Sequence, residues 1–232
     1  LLGRDRERIR GLSETAREEM TEYYTMWVHQ IKTPIAAMRL LLQKPGQEQD
    51  PELSEQLFRI EEYVNMVLQY LRVDGDNDLV VQWNDLDLMV RQAVHRYAGM
   101  FIRKKLSLSY EPLNRKVLTD EKWLVFAVEQ ILSNAVKYTG QGGISIYLEP
   151  GPDTVLAIRD TGTGIALEDQ PRIFEKGFTG YNGHADKRST GIGLYLCRRI
   201  LNRLSHEITV ESEPGKGTIM RIWFAKERLE VE

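Results

Sequence analysis

The chain has 232 residues, 42% of them hydrophobic and 28% charged, with a formal net charge of −3. That balance supplies a core for one large domain or two small ones and gives no basic surplus pointing to nucleic acid. The single cysteine, Cys197, excludes an internal disulfide and a cysteine-rich zinc site, and its apolar surroundings read as a buried, inert thiol. No apolar run reaches the length of a membrane span. The chain opens Leu1-Leu2-Gly3-Arg4 without a methionine, and a charged stretch from Arg4 to Arg10 follows, which reads as an excised piece of a longer protein.

From about Arg6 to Gln43 the residues Ile9, Leu12, Ala16, Met20, Tyr23, Trp27 and Ile31 step by three or four, the stripe of an amphipathic helix. Within it lies Trp27-Val28-His29-Gln30-Ile31-Lys32-Thr33-Pro34. Pro34 has no N–H to donate and its ring crowds the carbonyl of Gln30, so the helix is irregular one residue after the histidine. His29 and Thr33 are four apart and share a face, presenting an imidazole and a hydroxyl together. A core histidine in a proline-kinked helix would read the same way.

Lys44-Pro45-Gly46 ends this helix, and Pro51 sits near the start of a second one. There Leu53, Leu57, Ile60, Val64, Val67 and Leu71 alternate by four and three, as a coiled-coil seam does. Two helices joined by a short turn form an antiparallel hairpin with too little core for both stripes. A second copy would complete a four-helix bundle; packing on the rest of the same chain is the alternative. The turn-rich Val73-Asp74-Gly75-Asp76-Asn77-Asp78 then reads as a linker.

Beyond it the spacing predicts strands over 79–83, 106–110, 144–148, 155–158, 207–210 and 218–224, and helices over 86–98, 121–138 and 191–204. Asn84 or Asp85 is the expected cap of the first of these helices. The grouping implies an α+β sandwich, not a doubly wound sheet.

Four clusters in this second part have nucleotide-binding chemistry. In Glu129-Gln130-Ile131-Leu132-Ser133-Asn134-Ala135-Val136-Lys137-Tyr138, Gln130 and Asn134 share a helix face. The Asn134 amide oxygen is a hard ligand suited to Mg²⁺, Lys137 can neutralise phosphate, and Tyr138 offers a stacking ring; a solvated polar face would look similar. Asp160-Thr161-Gly162-Thr163-Gly164-Ile165 leaves a strand with a carboxylate able to accept from an exocyclic amine, and with glycines that let the backbone approach a flat base. A tight strand-exit turn is the alternative. Ile173-Phe174-Glu175-Lys176-Gly177-Phe178 leads into a polar stretch ending at Thr190 that reads as a lid, with Lys187 and Arg188 reading as solvated basic residues. Thr190-Gly191-Ile192-Gly193-Leu194 opens a helix, where exposed N–H groups and the helix dipole favour an anion. Gly215-Lys216-Gly217-Thr218 is a further turn.

In this order the clusters resemble the N, G1, F, G2 and G3 boxes of bacterial sensor histidine kinases, and the stretch at His29 resembles their phospho-acceptor box. The resemblance implies a helical hairpin at 1–73, a four-helix bundle as a dimer. A linker at 74–78 follows, then an α/β-sandwich ATP-binding domain at 79–232 shared with type II topoisomerases, mismatch-repair ATPases and one chaperone family. It implies ATP and Mg²⁺ as cofactors, transfer of the γ-phosphoryl group to His29, and delivery to an aspartate of a response regulator, with Thr33 orienting a water for hydrolysis of that aspartyl phosphate. Asn134 would hold Mg²⁺; Lys137 and Tyr138 would contact phosphate and nucleoside; Asp160 would read the adenine amine. Gly162 and Gly164 would shape the base pocket, Thr190, Gly191, Gly193 and Leu194 would close over the phosphates, and Thr218 would lie near Asp160.

Three departures stand out. Many members carry asparagine where this chain has Gln130, glycine where it has Tyr195, and an acid where it has Gln30. The version around His29 is similar to the small membrane kinases that Gram-positive bacteria pair with peptide-antibiotic transporters. That likeness implies a cytoplasmic portion of a membrane protein and a transporter partner. A serine kinase of the same nucleotide fold and a non-catalytic dimeric scaffold are the rival readings. His95, His184 and His206 lie in no such box and read as surface or packing residues.

Overall fold

The computed structural model describes residues 28, 31–32, 35–40, 42, 51–73, 79–180 and 191–225, and the chain divides into two compact units, Leu1–Asp78 and Leu79–Glu232.

In the first unit the backbone is helical at 28, 31–32, 35–40 and 42, and again over α1 (Pro51–Arg72). Proline at the first helical position costs nothing because its missing N–H would have had no partner there. Glu52 in the first turn and Arg72 in the last match the helix dipole. Leu57, Val64 and Leu68 of α1 form one buried cluster with Val28 and Ile35, and Ile31 and Leu42 pack against it. Arg39 and Glu61 join the two helices by an ion pair of 2.5 Å. The single seam expected over α1 is therefore divided. Leu57 and Val64 turn inward, whereas Leu53, Ile60 and Val67 form a separate exposed line of seven-residue spacing. The reason is geometric: steps of seven keep a helix face, and the intervening step of four moves to a neighbouring one. The helical stripe expected from Ile9 to Trp27 lies outside the described residues.

In the second unit β1 (Gln82–Asp85) runs into α2 (Leu86–Lys104), capped by Asp85, whose side chain accepts from the N–H groups of Asp87 and Leu88. Strands β2 (Ser107–Tyr110) and β3 (Lys116–Thr119) precede α3 (Glu121–Tyr138); β4 (Gly143–Leu148) and β5 (Val155–Asp160) follow. After the segment 161–192 come α4 (Gly193–Arg203), β6 (Glu207–Glu213) and β7 (Gly217–Trp223). Five strands form a mixed sheet in the order β2-β4-β5-β7-β6, in which only the β2–β4 pair is parallel. β1 and β3 make a separate antiparallel ribbon.

Helix α3 packs against α2, α4 and β5 and is buried on almost every side from Trp123 to Leu132, as a helix flanked by a sheet and two other helices must be. α2 buries one face, Leu86, Met89, Val90, Ala93, Tyr97 and Phe101, and α4 buries Leu196, Cys197, Ile200 and Leu201. The Cys197 thiol is fully enclosed, and burial raises its pKa well above the usual thiol range, consistent with an inert core residue.

Several elements differ from the sequence expectation: α2 runs on to Lys104 instead of ending at 98, and β5 and β6 extend to Asp160 and Glu213. The strand expected over 79–83 lies at Gln82–Asp85, because the Val80 N–H bonds the Asp120 carboxylate at 2.7 Å instead of joining a ladder. β3 was not expected; four residues that bury only Val117 and Thr119 are too short an alternation to recognise. α4 begins at Gly193, since Gly191 adopts φ +65° and cannot be helical.

His206 is a packing residue with a consequence for stability. Its Nδ1 accepts from the Ala225 N–H at 3.3 Å, so Nε2 carries the proton and donates to buried Thr119 Oγ1 at 3.0 Å. The Phe224 ring packs edge-on with a centroid separation of 4.9 Å. Burial lowers the imidazole pKa from 6.5 to about 4. Below the unfolded value the unfolded chain takes up a proton that the folded chain refuses. Stability is therefore fully present above 6.5 and falls as pH is lowered towards 4. This one group accounts for roughly 3 kcal/mol across the window. Urea unfolding of His206→Gln should show a visibly flatter dependence over that range than the parent; equal slopes would disprove the assignment.

Candidate active site

Helix α3 supplies one wall of the site. Asp120 caps its start, accepting from the Trp123 N–H at 3.1 Å. Its other end is capped from a distance: the Lys104 ammonium donates to the carbonyl oxygens of Val136, Lys137 and Thr139 at 2.6, 3.0 and 3.2 Å. A cation on these oxygens satisfies orphan acceptors and opposes the negative end of the dipole. It anchors the turn that carries Asn134, Lys137 and Tyr138. All three are half-buried, and the Lys137 ammonium lies 5.1 Å from the Tyr138 ring centroid. Gln130 and Glu129, a turn deeper, are buried, and Glu129 pairs with Arg96 at 3.3 Å.

The end of β5 supplies the floor. Asp160 is buried and lies opposite Ile144 on β4 and Thr218 on β7. Directly opposed residues face the same side of a sheet, so the Asp160 carboxylate and the Thr218 hydroxyl share one surface. Asp160 Oδ1 accepts from the Gly162 N–H at 2.8 Å. Burial raises the Asp160 pKa, partly countered by the N–H groups of Gly162 and Thr218. A buried carboxylate in that condition gains from any further donor.

Glycines make this closeness possible. A Cβ on Gly162 would lie 2.6 Å from the Tyr138 carbonyl oxygen and 2.8 Å from Asp160 Oδ1. Gly164, at φ +71°, runs against the backbone of Glu213, where a Cβ would come within 2.1 Å of its carbonyl oxygen. The loop is sewn to its neighbours: the Thr163 N–H donates to Tyr138 O at 3.2 Å, and Thr163 O accepts from the Gly215 N–H at 2.8 Å. The structure thus brings Tyr138, Asp160, Gly162 and Thr218 together, with Gly164 on the same loop packed against Glu213.

The segment before α4 is tied to the stretch around Phe174. The Gly177 N–H donates to Gly191 O at 2.9 Å, and a Cβ on Gly191 would lie 2.5 Å from the Gly177 carbonyl carbon. The Arg198 guanidinium sits over the Phe174 ring at 5.5 Å and that of Arg172 over Phe178 at 4.5 Å. Ile192 precedes α4 without a side-chain cap, so the first N–H groups of Gly193 and Leu194 meet no hydroxyl or carboxylate from the capping residue. His29, Gln30, Thr33 and Thr190 lie outside the described residues, as do His184, Lys187 and Arg188.

Residues 119–228 match the family model of the histidine kinase-, DNA gyrase B- and HSP90-like ATPases. The sensor histidine kinase YxdK of Bacillus subtilis is 31% identical over 220 residues, which cover 91% of this chain and 67% of that protein. The chain belongs to the bacterial sensor histidine kinases. Sensor protein BceS of Bacillus subtilis is 36% identical over 85% of the chain and 60% of its own length. For the sensor protein kinase GraS of Staphylococcus aureus the figures are 35%, 86% and 59%. This sensor kinase chain thus spans about three-fifths to two-thirds of the curated relatives it matches. Two solved structures share its fold. Full-length ShkA in complex with AMPPNP aligns with a TM-score of 0.63 at 23% identity, over 88% of this chain and 46% of that one. Acinetobacter baumannii AdeS gives 0.57 at 22%, over 85% and 97%.

The chemistry of this cluster is compatible with an adenine nucleotide: a buried acceptor at one end and a lysine and tyrosine on the adjoining turn. Among the described residues no group of three or more His, Cys, Asp or Glu could hold a metal ion. Mg²⁺ commonly meets nucleotides through phosphate oxygens and water with one or two protein oxygens, and the Asn134 amide could supply such an oxygen. No helix among the described residues is long and apolar enough to cross a membrane.

Proposed function

We propose that the whole kinase transfers the γ-phosphoryl group of ATP to a nitrogen of His29 and then to an aspartate of a cognate response regulator. The observation that carries this reading is the buried Asp160 carboxylate, held by the Gly162 N–H beside Thr218 on a loop whose glycines let it pack directly on the backbone of Tyr138 and Glu213. In it Asp160 reads the adenine amine, Gly162 and Gly164 line the base, and Tyr138 and Lys137 meet the nucleoside and the phosphates. Thr190, Gly191, Gly193 and Leu194 cover the phosphates at the start of α4. Asn134 would hold Mg²⁺, which supplies charge neutralisation on the phosphates. The P–N bond to His29 forms as the bridging P–O bond breaks and ADP departs, with positioning and electrostatics supplying most of the acceleration.

The exposed line Leu53, Ile60 and Val67 supports a homodimer through the hairpin. Light scattering should give twice the chain mass at tens of micromolar; a monomer there would contradict the bundle. The BceS-like relatives fit the antibiotic-transporter-linked subfamily, so a membrane transporter partner and a cytoplasmic position for this portion of a membrane protein belong to the same reading. Nucleic acid has no part in it.

Gln30 sets the rate in this account. Its amide oxygen can accept from an imidazole N–H and fix the tautomer, but it supplies neither negative charge nor a base. Gln30→Glu should raise the initial labelling rate at saturating ATP, towards the ~10²-fold lower end of general-base assistance. An equal or slower rate would remove Gln30 as the limiting residue. Thr33 still serves dephosphorylation of the regulator, where an oriented water matters more than a strong base.

Phosphotransfer tests the function as a whole. Chain labelled with γ-labelled ATP and Mg²⁺, freed of nucleotide and mixed with receiver domains, should lose its label to one of them within minutes. Retention of label against every receiver domain of the source genome would leave the scaffold or serine-kinase reading standing instead.

A further inference from the structure

Ser212, on β6, has no role of its own in the proposed chemistry, yet its hydroxyl lies at the meeting point of three segments of the site. Ser212 Oγ accepts from the Ile165 N–H at 2.8 Å, donates to Gly217 O at 2.9 Å, and lies 2.9 Å from Thr218 Oγ1. The backbone oxygens of Ile165 and Ser212 are in turn bound by one amide, Gln170 Nε2, at 3.1 and 2.7 Å.

A hydroxyl has one proton and two lone pairs. The Ile165 N–H can only donate, so it occupies one lone pair of Ser212. The Gly217 carbonyl can only accept, so it takes the one proton. What remains for Thr218 is the second lone pair, and the Thr218 hydroxyl must therefore donate to Ser212. With its proton spent there, Thr218 Oγ1 presents only lone pairs elsewhere. Thr218 is buried and faces the same side of the sheet as Asp160, directly opposite it in register. The two side chains at this end of the pocket are then both acceptors.

We propose that Ser212 is a positioning residue that fixes the Thr218 hydroxyl as an acceptor and so makes the pocket selective for a 6-amino over a 6-oxo purine. This rests on the nucleotide-site reading above. A 6-oxo purine would set its carbonyl oxygen against acceptors only. Removing the Ser212 hydroxyl frees the Thr218 proton to turn toward such an oxygen. Loss of the Ile165 anchor, by contrast, weakens all nucleotides alike, so the selectivity ratio separates the proton-directing role from a structural one.

The test is the ratio of ITP to ATP dissociation constants for the 232-residue chain. Ser212→Ala should lower that ratio about five-fold, the worth of one neutral hydrogen bond. Ser212→Thr should keep the parent ratio, and Ser212→Ala placed on Thr218→Val should change nothing further. Should the alanine variant not fold, Ser212→Cys fills the same space with a weak hydrogen-bonding group and should shift the ratio in the same direction. Equal weakening of ATP and ITP in Ser212→Ala, or an undiminished shift on the Thr218→Val background, overturns the proposal while leaving the nucleotide site intact. Failure of the parent chain to bind either nucleotide overturns both.

Discussion

Replacing His29 with alanine is expected to abolish phosphate labelling of the chain while ATP affinity stays at the parent value. The expectation follows from the division of labour along the sequence. The residues read as binding nucleotide, Asn134 to Thr218, all lie in the second compact unit, and His29 lies in the first. Alanine removes the imidazole proposed to accept the phosphoryl group and leaves the residues of the second unit unchanged. Labelling with γ-labelled ATP and a parallel nucleotide titration check both halves. Full labelling of the variant would mean that another side chain accepts the phosphoryl group.

A loss of ATP affinity of roughly ten- to a hundred-fold is expected for Asp160→Asn, the worth of one hydrogen bond to a charged group. Asparagine keeps an oxygen that can accept from the Gly162 N–H, so the loop retains its anchor. What changes is the charge offered to the exocyclic amine, and the variant amide can turn a donor toward it instead. ADP should weaken by a similar factor because it carries the same base. A calorimetric titration that finds parent affinity for both nucleotides would remove Asp160 from the base pocket.

The sequence made the chemistry of the site legible because each cluster is local. Asp160 stands two residues from the glycine that binds it, and Asn134, Lys137 and Tyr138 ride one helix end, so spacing alone groups them. Elements with a clear period were equally readable: α3 has the expected bounds, and α2 the expected cap at Asp85. What sequence could not show is what folding brings together from afar. Lys104 reaches carbonyls 32 to 35 residues away, and no local pattern distinguishes it from its neighbour Lys105. Ser212 meets Ile165 across 47 residues in a strand that otherwise reads as a half-exposed edge. Gly191 reads as part of a helix until the backbone of Gly177 is seen to occupy the space its side chain would need. The division of the α1 seam into an inward and an outward line likewise depends on where the partner helix lies, which a heptad count does not specify.

The central claim is that this chain phosphorylates itself on a histidine nitrogen. A phosphoramidate hydrolyses in acid and survives alkali, whereas a serine or threonine phosphate survives acid and is lost in alkali. The decisive measurement is therefore the retention of label on the chain, incubated with γ-labelled ATP and Mg²⁺, after matched acid and alkali treatments. The account predicts label lost in acid and kept in alkali; label kept in acid and lost in alkali would contradict it.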